Sequence, residues 1–240
     1  MDSRRREMLR LRREIVEAAG ALFARFGYEG TTFSRIARAI DRPKSAIGYH
    51  LFPSKAALAA AVLSDDDRRW RAMDDALERA GLPMGTERLI SLLLSRMRGI
   101  ESHPERAAAL RLQLDLPALD VAAEVSTDGG TKVERVRYVC ACFAADLPSS
   151  LGSENEVESF AELFLDSTRG LVLCHVAKQP HAPLDSRLCA LWASLLNGAG
   201  IPHADVLVRR VQASTRLSEI IAGVEQELAD ESVDHGVTAR

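Results

Sequence analysis

The sequence predicts an all-α protein, and three observations lead to this fold class. Apolar residues make up 47% of the 240 residues, largely Ala, Leu and Val, while aromatic residues make up only 5%. That composition favours helices packed on helices. Apolar side chains recur at the three- and four-residue spacing of an amphipathic helix. No segment shows the strict apolar–polar alternation of a half-buried strand.

The first predicted helix ends near Phe26. Its inner face includes Ile15, Ala19 and Phe23, and Gly27 is a natural C-terminal stop. Residues 1–13 carry six arginines. Such a run is often a solvated segment, but before a DNA-binding motif it can also touch backbone phosphates or an adjacent minor groove.

Residues 31–55 predict a helix-turn-helix. Thr31 or Thr32 can cap a first short helix, because a hydroxyl accepts an otherwise unpaired backbone N–H. Asp41-Arg42-Pro43 interrupts the pattern, and the proline suits the first turn of a second helix over about residues 43–49. Ser54 can cap the helix after that. The second helix of such a pair can enter the major groove of DNA.

Charge is divided unevenly along the chain. Residues 1–55 hold 12 Lys and Arg against six Asp and Glu, whereas the remainder holds 19 against 28. A basic head on an acidic body is typical of a phosphate-binding module joined to another domain. Uneven surface charge without function is the simpler alternative.

The remaining sequence predicts a bundle of six or seven helices behind a three-helix head, and we expect nine to eleven helices in the whole chain. A helix from Ser54 to about Arg79 begins apolar and becomes strongly charged, as a connector between two domains would. Apolar residues cover much of the circumference of the 154–177 helix, which predicts that it is covered on more than one side. The other predicted helices are 86–102, about 110–114, 133–147, 184–198 and 203–228. We expect a DNA-binding domain at residues 1–55, a ligand-binding and dimerisation domain at 56–230 and a disordered tail at 231–240.

The sequence offers little support for catalysis, metal binding or membrane insertion. Six histidines are scattered, and the four cysteines form no CxxC pair, which predicts core thiols. No GxSxG, GxGxxG or P-loop motif is present. No run of about 18 apolar residues and no apolar signal core occur. We therefore expect a cytoplasmic protein that is not an enzyme, has no cofactor or metal and does not enter a membrane. A helical enzyme or scaffold is the distant alternative.

Residues 10–63 resemble the DNA-binding domain of the TetR family of transcriptional regulators. The resemblance rests on Ile15-Val16-Glu17-Ala18-Ala19, Phe26-Gly27-Tyr28 and Tyr49-His50-Leu51-Phe52-Pro53-Ser54-Lys55. Two departures are visible: Asp41 or Arg42 stands where a Gly is usual, and the segment from Ile36 to Lys55 is one residue longer than the common spacing. The resemblance implies a homodimeric repressor that binds double-stranded operator DNA.

In this interpretation, each predicted contact has a chemical reason. Thr32 offers a hydroxyl and helix N-terminal amides to phosphate, and Lys44 can donate to guanine. Lys55 at a helix start opposes the local dipole, which an anionic partner would explain. The predicted DNA-binding residues are Thr32, Arg35, Arg42, Lys44, Ser45, Tyr49, His50 and Lys55. The alternative of a purely structural role is strongest for Tyr49, whose ring can pack helix 3 against helix 1.

The second half of the chain is more weakly similar to the γ-butyrolactone autoregulator receptors of that family. The similarity rests on Ala109-Leu110-Arg111-Leu112 and on Arg187-Leu188-Cys189-Ala190-Leu191-Trp192. Those receptors have a closed apolar pocket, commonly with a tryptophan on one wall, whereas residues 131–139 here contain none. The similarity implies release from DNA by a small apolar effector, such as a butyrolactone. The predicted ligand-binding residues are Met97, Gln113, Leu114, Cys140, Phe143, Phe164 and Thr168, each of which could instead fill the core.

The 154–177 and 184–198 helices carry more apolar surface than one bundle needs. A single helix-turn-helix reads a short half-site, and twofold symmetry is the commonest way to double it. We therefore expect these helices to form a four-helix dimer interface. The predicted interface residues are Phe160, Leu171, Leu188, Leu191 and Leu195. The alternative is a regulator that is ligand-independent or acts with a protein partner.

Overall fold

The computed structural model describes residues 3–47, 51–100, 103–119, 132–146, 153–178 and 182–234. These residues form ten α-helices and three short 3-10 turns and contain no strand, which confirms the predicted all-α class. The helices are α1 Ser3–Gly30, α2 Phe33–Ala39, α3 Lys55–Arg79, α4 Thr86–Met97, α5 Ala108–Asp115, α6 Lys132–Asp146, α7 Glu154–Lys178, α8 Leu184–Gly198, α9 Ala204–Gln212 and α10 Thr215–Asp234. The 3-10 turns are Lys44–Ala46, Pro104–Ala107 and Leu116–Ala118.

The chain divides into two compact units. The first comprises residues 1–69, 102–128 and 223–240, and the second comprises 70–101 and 129–222. Helices α3 and α10 each contribute residues to both units. The division follows proximity in space rather than chain order, and the domain limits expected at residues 55 and 230 stay predictions.

In the first unit, α1 packs against α5, against the turn before α5 and against α2. Ile15, Ala19 and Phe23 are buried on its inner face, as the sequence predicts. Gly27 has φ 72° and ψ 180°, so α1 bends there. The glycine predicted to end the first helix therefore marks a kink, beyond which the chain stays helical to Gly30.

In the second unit, α4 is the most enclosed helix, with ten of its residues buried. It contacts α6, α8 and α9, while α7 packs on α6 and α8. A row of aromatic rings crosses α6, α7 and α8: Phe143 lies 5.5 Å from Phe164, which lies 6.3 Å from Trp192. The large rings make this row a substantial part of the apolar core.

The structure corrects the prediction of the last helix. The single helix predicted over 203–228 is wrong, because α9 ends at Gln212 and α10 begins at Thr215. Ser214 separates them, and its hydroxyl accepts the N–H of Leu217 over 3.1 Å as a helix cap. Helix α10 then continues to Asp234, four residues into the segment predicted to be disordered.

Among the residues that the structure describes, α7 is covered on one side, and its expected cover on a second side stays a prediction. Its buried residues, Ala161, Phe164, Thr168, Val172 and His175, form a single stripe. On the other side, Leu163 is 54% exposed. The apolar residues of α7 that lie outside this stripe, such as Leu163, therefore contribute to its exposed surface.

Candidate nucleic-acid interface

The first helix of the motif, α2, begins with a side-chain cap. Thr32 has an extended backbone, and its Oγ1 accepts the N–H of Arg35 over 3.3 Å. Thr31 is fully buried, and its hydroxyl donates to the carbonyl of Gly27 over 2.9 Å. Of the two threonines considered from sequence, Thr32 is thus the cap, and Thr31 ties the motif to the kink in α1.

The turn after α2 is tight and contains a residue in a left-handed conformation. Asp41 has φ 50°, and the N–H of Arg42 donates to the carbonyl of Ala37 over 2.9 Å. Glycine adopts such a conformation without strain, and Asp tolerates it better than most residues. Asp41 is therefore the residue that occupies the usual position of glycine.

The segment after the turn exposes polar residues and buries one apolar anchor. Arg42, Lys44 and Ser45 are exposed, whereas Ile47 is fully buried. The described part of this segment is a 3-10 turn at Lys44–Ala46 rather than the helix predicted from residue 43. Tyr49 and His50 lie outside the described residues.

Lys55, the first residue of α3, is bound to the kink in α1. Its Nζ donates to the carbonyl of Tyr28 over 3.0 Å and lies 4.2 Å from the centre of the Tyr28 ring. Burial lowers the pKa of the Lys55 ammonium below its usual value, and the nearby Glu29 carboxylate partly offsets this. Lys55 thus holds α3 to α1, and its predicted contact with phosphate stays a prediction.

Arg35 lies at the exposed start of α2. Its guanidinium carbon stands 4.8 Å from the centre of the Phe26 ring, and its Nη1 donates to the carbonyl of Gly30. Phe26 is 41% exposed, so the guanidinium covers part of an apolar surface. A guanidinium has five N–H donors, so phosphate contact is still open to it.

The kink in α1 is fixed by Asp115, which the sequence reasoning missed. Its Oδ2 accepts the N–H of Tyr28 over 2.8 Å, and its Oδ1 accepts from Nε of Arg111 over 2.9 Å. Asp115 is the last residue of α5, 87 positions from Tyr28. No local pattern predicts a hydrogen bond over that separation.

The seven predicted ligand-binding residues do not share one compact unit. Gln113 and Leu114 belong to the first unit and the other five to the second. Leu114 is exposed, while Met97, Phe143 and Phe164 are buried. Thr168 is also buried, and its Oγ1 donates to the Phe164 carbonyl over 2.7 Å and accepts from Nε1 of Trp192 over 2.8 Å. Thr168 thus uses its hydroxyl within the core.

A cavity of about 270 Å³ lies elsewhere in the second unit. It is lined by Leu82, Pro83, Met84, Gly85, Glu87, Asp146, Ile201, Pro202 and Leu207, and none of these was predicted to bind a ligand. Most of the lining is apolar, and the two carboxylates are engaged. Glu87 accepts from Arg210 over 2.6 Å, and Asp146 accepts the N–H of Thr86 over 2.5 Å.

A polar cluster in the second unit was also missed. Nε of Arg88 donates to Asp74 over 2.8 Å, and the same carboxylate oxygen accepts the hydroxyl of Tyr138 over 2.5 Å. Burial, followed by this hydrogen bond, raises the pKa of the Tyr138 phenol above its usual value. The cluster pins α3 to α4 and α6. The pattern of charged and apolar residues along α3 did not predict that Asp74 would bind Arg88 and Tyr138.

The predicted dimer residues divide by exposure. Leu188 is fully buried and belongs to the core of the second unit. Phe160, Leu171, Leu191 and Leu195 are partly exposed on α7 and α8. These four residues can still meet a second copy of the chain.

No group of three or more His, Cys, Asp or Glu residues in the described ranges could hold a metal ion. Among the same residues, no helix is both long and apolar enough to cross a membrane.

Residues 15–62 match the model of the family described as bacterial regulatory proteins, tetR family. The HTH-type transcriptional repressor AcnR of Corynebacterium efficiens is 32% identical over 105 residues, which cover 44% of this chain and 48% of that protein. The chain thus spans about half the length of the curated relatives that it matches.

Solved structures share the fold over most of their length. A γ-butyrolactone receptor (ArpA-like protein) is 26% identical with a TM-score of 0.63, covering 92% of this chain and 98% of that one. The TetR-family protein CprB from S. coelicolor A3(2) has the same identity and TM-score, with 86% of this chain and 100% of that one covered. Residues 15–62 thus match the tetR family of bacterial regulatory proteins, and the chain shares the fold of these solved structures.

Proposed function

We propose that the chain is a DNA-binding transcriptional repressor that acts in the cytoplasm. The observation that carries the proposal is the helix-turn-helix built by α2 and the segment after it. Thr32 caps α2, Asp41 makes the left-handed turn, and buried Ile47 anchors a segment that exposes Arg42, Lys44 and Ser45. The match of residues 15–62 to the tetR family model supports regulation rather than catalysis, and the AcnR relatives are named as repressors.

The exposed residues suit the two kinds of DNA contact. Lys44 can donate to guanine O6 or N7 in the major groove, which discriminates between bases. Thr32 can donate its hydroxyl proton to a phosphate oxygen, because among the described residues its oxygen acts as an acceptor, from the N–H of Arg35. Arg35 and Arg42 add positive charge beside the same segment, which strengthens binding to the phosphate backbone.

The test starts from random DNA duplexes. The purified protein should enrich a defined sequence over repeated rounds of binding and amplification. Lys44→Ala should weaken binding to that duplex by about 1–3 kcal/mol. Lys178→Ala is a matched control, because it removes an exposed lysine from α7 in the second unit. No enriched sequence, or equal affinity of the two variants, would refute the proposal.

We further propose that the repressor is a homodimer joined through α7 and α8. The support is an unburied apolar stripe: Leu163 is 54% exposed, and Leu171, Leu191 and Leu195 are partly exposed. A Cβ added at Gly170 or Gly198 would meet no atom within 4 Å, so backbone is also open to a close partner. Sedimentation should give a dimer at micromolar concentration.

A matched pair of variants tests the position of the interface. Leu191→Glu should give a monomer, because it places a charge in the apolar stripe. Leu114→Glu makes the same change at a leucine that is 54% exposed in the first unit and should leave the dimer intact. Dissociation by both variants, or by neither, would place the interface elsewhere.

We also propose that a small, mostly apolar effector releases the protein from DNA. The cavity of about 270 Å³ in the second unit supports this, because apolar walls with a few polar groups are typical of ligand sites. Weakening DNA binding a hundredfold requires that the effector prefer the released state by about 2.7 kcal/mol. A ligand-independent regulator is the alternative.

The similarity to the solved γ-butyrolactone receptor suggests the first effector to test, a γ-butyrolactone. It should lower DNA affinity of the wild-type protein. Leu207→Trp should fill the cavity and abolish that response while sparing DNA binding. Full DNA binding at saturating lactone would exclude this effector, and a full response in the variant would exclude the cavity.

A further inference from the structure

The cavity of about 270 Å³ in the second unit offers a ligand apolar walls and hydrogen-bond acceptors. It is formed by the segment between α3 and α4, the start of α4, the end of α6, and the segment between α8 and α9 together with α9. Among its lining residues only Glu87 and Asp146 have charged side chains, and no lining side chain is an amine, amide, hydroxyl or guanidinium. Carboxylates only accept hydrogen bonds, so the lining side chains provide no donor.

The backbone around the cavity also has few donors to offer. Pro83 and Pro202 have no N–H group. The N–H groups of Leu82, Ile201 and Leu207 already donate to carbonyls of the chain, each over 3.0 Å. A ligand whose polar atoms only accept hydrogen bonds, as those of a lactone do, therefore meets few donors on these walls.

The start of α4 is matched by a negative charge from the chain itself. Oδ2 of Asp146 accepts the N–H of Thr86 over 2.5 Å, at the helix end where the dipole favours an anion. Thr86 stands between two lining residues, Gly85 and Glu87. Its hydroxyl is buried, and its Oγ1 has no hydrogen-bond partner among the described residues. This end of α4 therefore has no need of an anionic ligand and has a buried oxygen that can accept a hydrogen bond.

The charges beside the cavity leave one carboxylate unmatched. Arg210 is paired with Glu87 over 2.6 Å, and Arg88 is held by Asp74 over 2.8 Å. Asp146, in contrast, forms no ion pair with a Lys or Arg residue in the part of the chain that the structure describes. The wall of the cavity thus carries a negative charge that a cationic ligand can neutralise.

We propose that the cavity binds a small apolar amine. Its ammonium group donates to Asp146, and its hydrocarbon part lies against Leu82, Met84 and Leu207. An alkyl amine is protonated at neutral pH, as lysine is, and its ammonium group has three donors and no acceptor. Asp146 can accept from the ligand while it holds the N–H of Thr86, because a carboxylate has about four acceptor sites.

The volume of the cavity limits the size of this amine. About 270 Å³ lies just below the range of about 300–1,000 Å³ that is usual for sites of drug-sized ligands. A single short hydrocarbon chain with one amino group is therefore suitable. This inference rests on the proposed effector site and specifies the class of its ligand.

Four probes with the same number of carbon atoms test the class of ligand on the full-length protein. Octylamine, octanol, γ-octalactone and octanoate are titrated by calorimetry. Octylamine should bind about tenfold more tightly than octanol or γ-octalactone, because a charge-assisted hydrogen bond is roughly twice as strong as a neutral one. Octanoate should bind most weakly, since its carboxylate is repelled by Asp146. Equal affinities of octylamine and the two neutral probes would overturn the proposal.

A matched pair of variants tests the position of the ammonium group. Asp146→Asn removes the charge and keeps a helix cap, since Asn caps helices about as well as Asp does. It should lower the affinity for octylamine about tenfold and leave the affinity for octanol unchanged. Asp75→Asn makes the same change at an exposed aspartate of α3 that does not line the cavity, and it should bind octylamine as wild type does. Equal affinities in the two variants would overturn the site.

DNA release separates the ligand class from the proposed function. Octylamine should weaken binding of the enriched duplex by wild type and by Asp75→Asn, and should do so much less in Asp146→Asn. If octylamine binds through Asp146 and DNA affinity is unchanged, the effector function of the cavity fails while the amine site stands. If γ-octalactone binds more tightly than octylamine and releases DNA, the amine class fails while the effector site stands.

Discussion

Each of the two units contains a position where a distant aspartate accepts the backbone N–H of the residue after a glycine. We call each of these positions a joint. In the first unit, Gly27 precedes Tyr28, whose N–H donates to Oδ2 of Asp115 over 2.8 Å. In the second unit, Gly85 precedes Thr86, whose N–H donates to Oδ2 of Asp146 over 2.5 Å. A Cβ on the glycine would lie 2.5 Å from the carboxylate oxygen in the first joint and 2.9 Å in the second.

The two joints lead into different elements of the chain. Asp146 caps α4, the enclosed helix of the second unit, so this joint serves stability. Asp115 holds a kink, and α2 with the segment after it, residues 42–47, begins a few residues later. Arg111 also fixes the Asp115 carboxylate, over 2.9 Å. The comparison teaches that one local arrangement can begin an enclosed helix in one place and hold a kink next to the helix-turn-helix in another.

The largest expected effects come from filling the space that each glycine leaves. Gly27→Ala should lower the free energy of unfolding by about 2–4 kcal/mol, because φ 72° strains any side chain and the Cβ displaces the Asp115 carboxylate. Gly85→Ala should cost less, since its Cβ would lie 2.9 Å from the carboxylate oxygen and not 2.5 Å. Urea unfolding measures both. A Gly27→Ala protein as stable as wild type would remove the steric basis of the first joint.

Removing the carboxylates should have smaller effects. Asp115→Ala and Asp146→Ala should each lower the free energy of unfolding by about 1–2 kcal/mol, the usual cost of losing a helix cap or a charged acceptor. Ser153→Ala is a useful reference, because among the described residues its hydroxyl donates to exposed Glu156 over 3.2 Å. Stability unchanged in both aspartate variants would show that water replaces the carboxylates without cost.

Asp41 can be compared with the two joints, because the strain at Asp41 arises from its backbone conformation and not from a close contact of its Cβ. Asp41→Gly should raise the free energy of unfolding by about 0.5–1 kcal/mol, since glycine adopts φ 50° freely. Asp41→Val should lower it, because a β-branched side chain is poorly accommodated there. Thermal melts of the two variants should shift in opposite directions. Shifts in the same direction would contradict a left-handed turn at this position.

Alkaline pH should weaken the second unit modestly. Burial raises the pKa of the Cys142 and Cys189 thiols to about 11 from 9.0. Between these pH values the unfolded chain ionises first, so the free energy of unfolding should fall as pH rises from about 9 to 11. Cys142→Ala/Cys189→Ala should show a flatter fall, whereas Cys174→Ala, at an exposed thiol, should follow wild type. Identical slopes in all three would contradict the buried thiols.

The sequence predicted local structure well because local structure depends on local chemistry. Ser54 caps α3 as expected, with its hydroxyl accepting the N–H of Ala57 over 3.0 Å. Apolar periodicity located α4, α7 and α8 to within a few residues. The same periodicity continues past Ser214, so it did not predict that α9 ends and α10 begins there, where the Ser214 hydroxyl caps α10. The kink at Gly27 was visible only as a helix end.

Long-range partners could not be predicted in the same way. Asp115 and Asp146 act 87 and 60 residues away from the N–H groups that they accept. Lys55 was predicted to contact a DNA phosphate, and this contact stays a prediction. The sequence did not predict that its ammonium would donate to the Tyr28 carbonyl. A side chain at such a distance is paired by the fold as a whole, and a periodic pattern along one helix contains no information about it.

The most direct test of the first joint's role is the DNA affinity of Asp115→Ala and Asp146→Ala, measured side by side on the enriched duplex at a temperature where both are folded. If the first joint directs the helix-turn-helix, Asp115→Ala should weaken binding by about tenfold, or 1.4 kcal/mol, while Asp146→Ala should bind as wild type does. Equal affinities in the two variants would contradict that role, and so would a wild-type protein that binds no duplex.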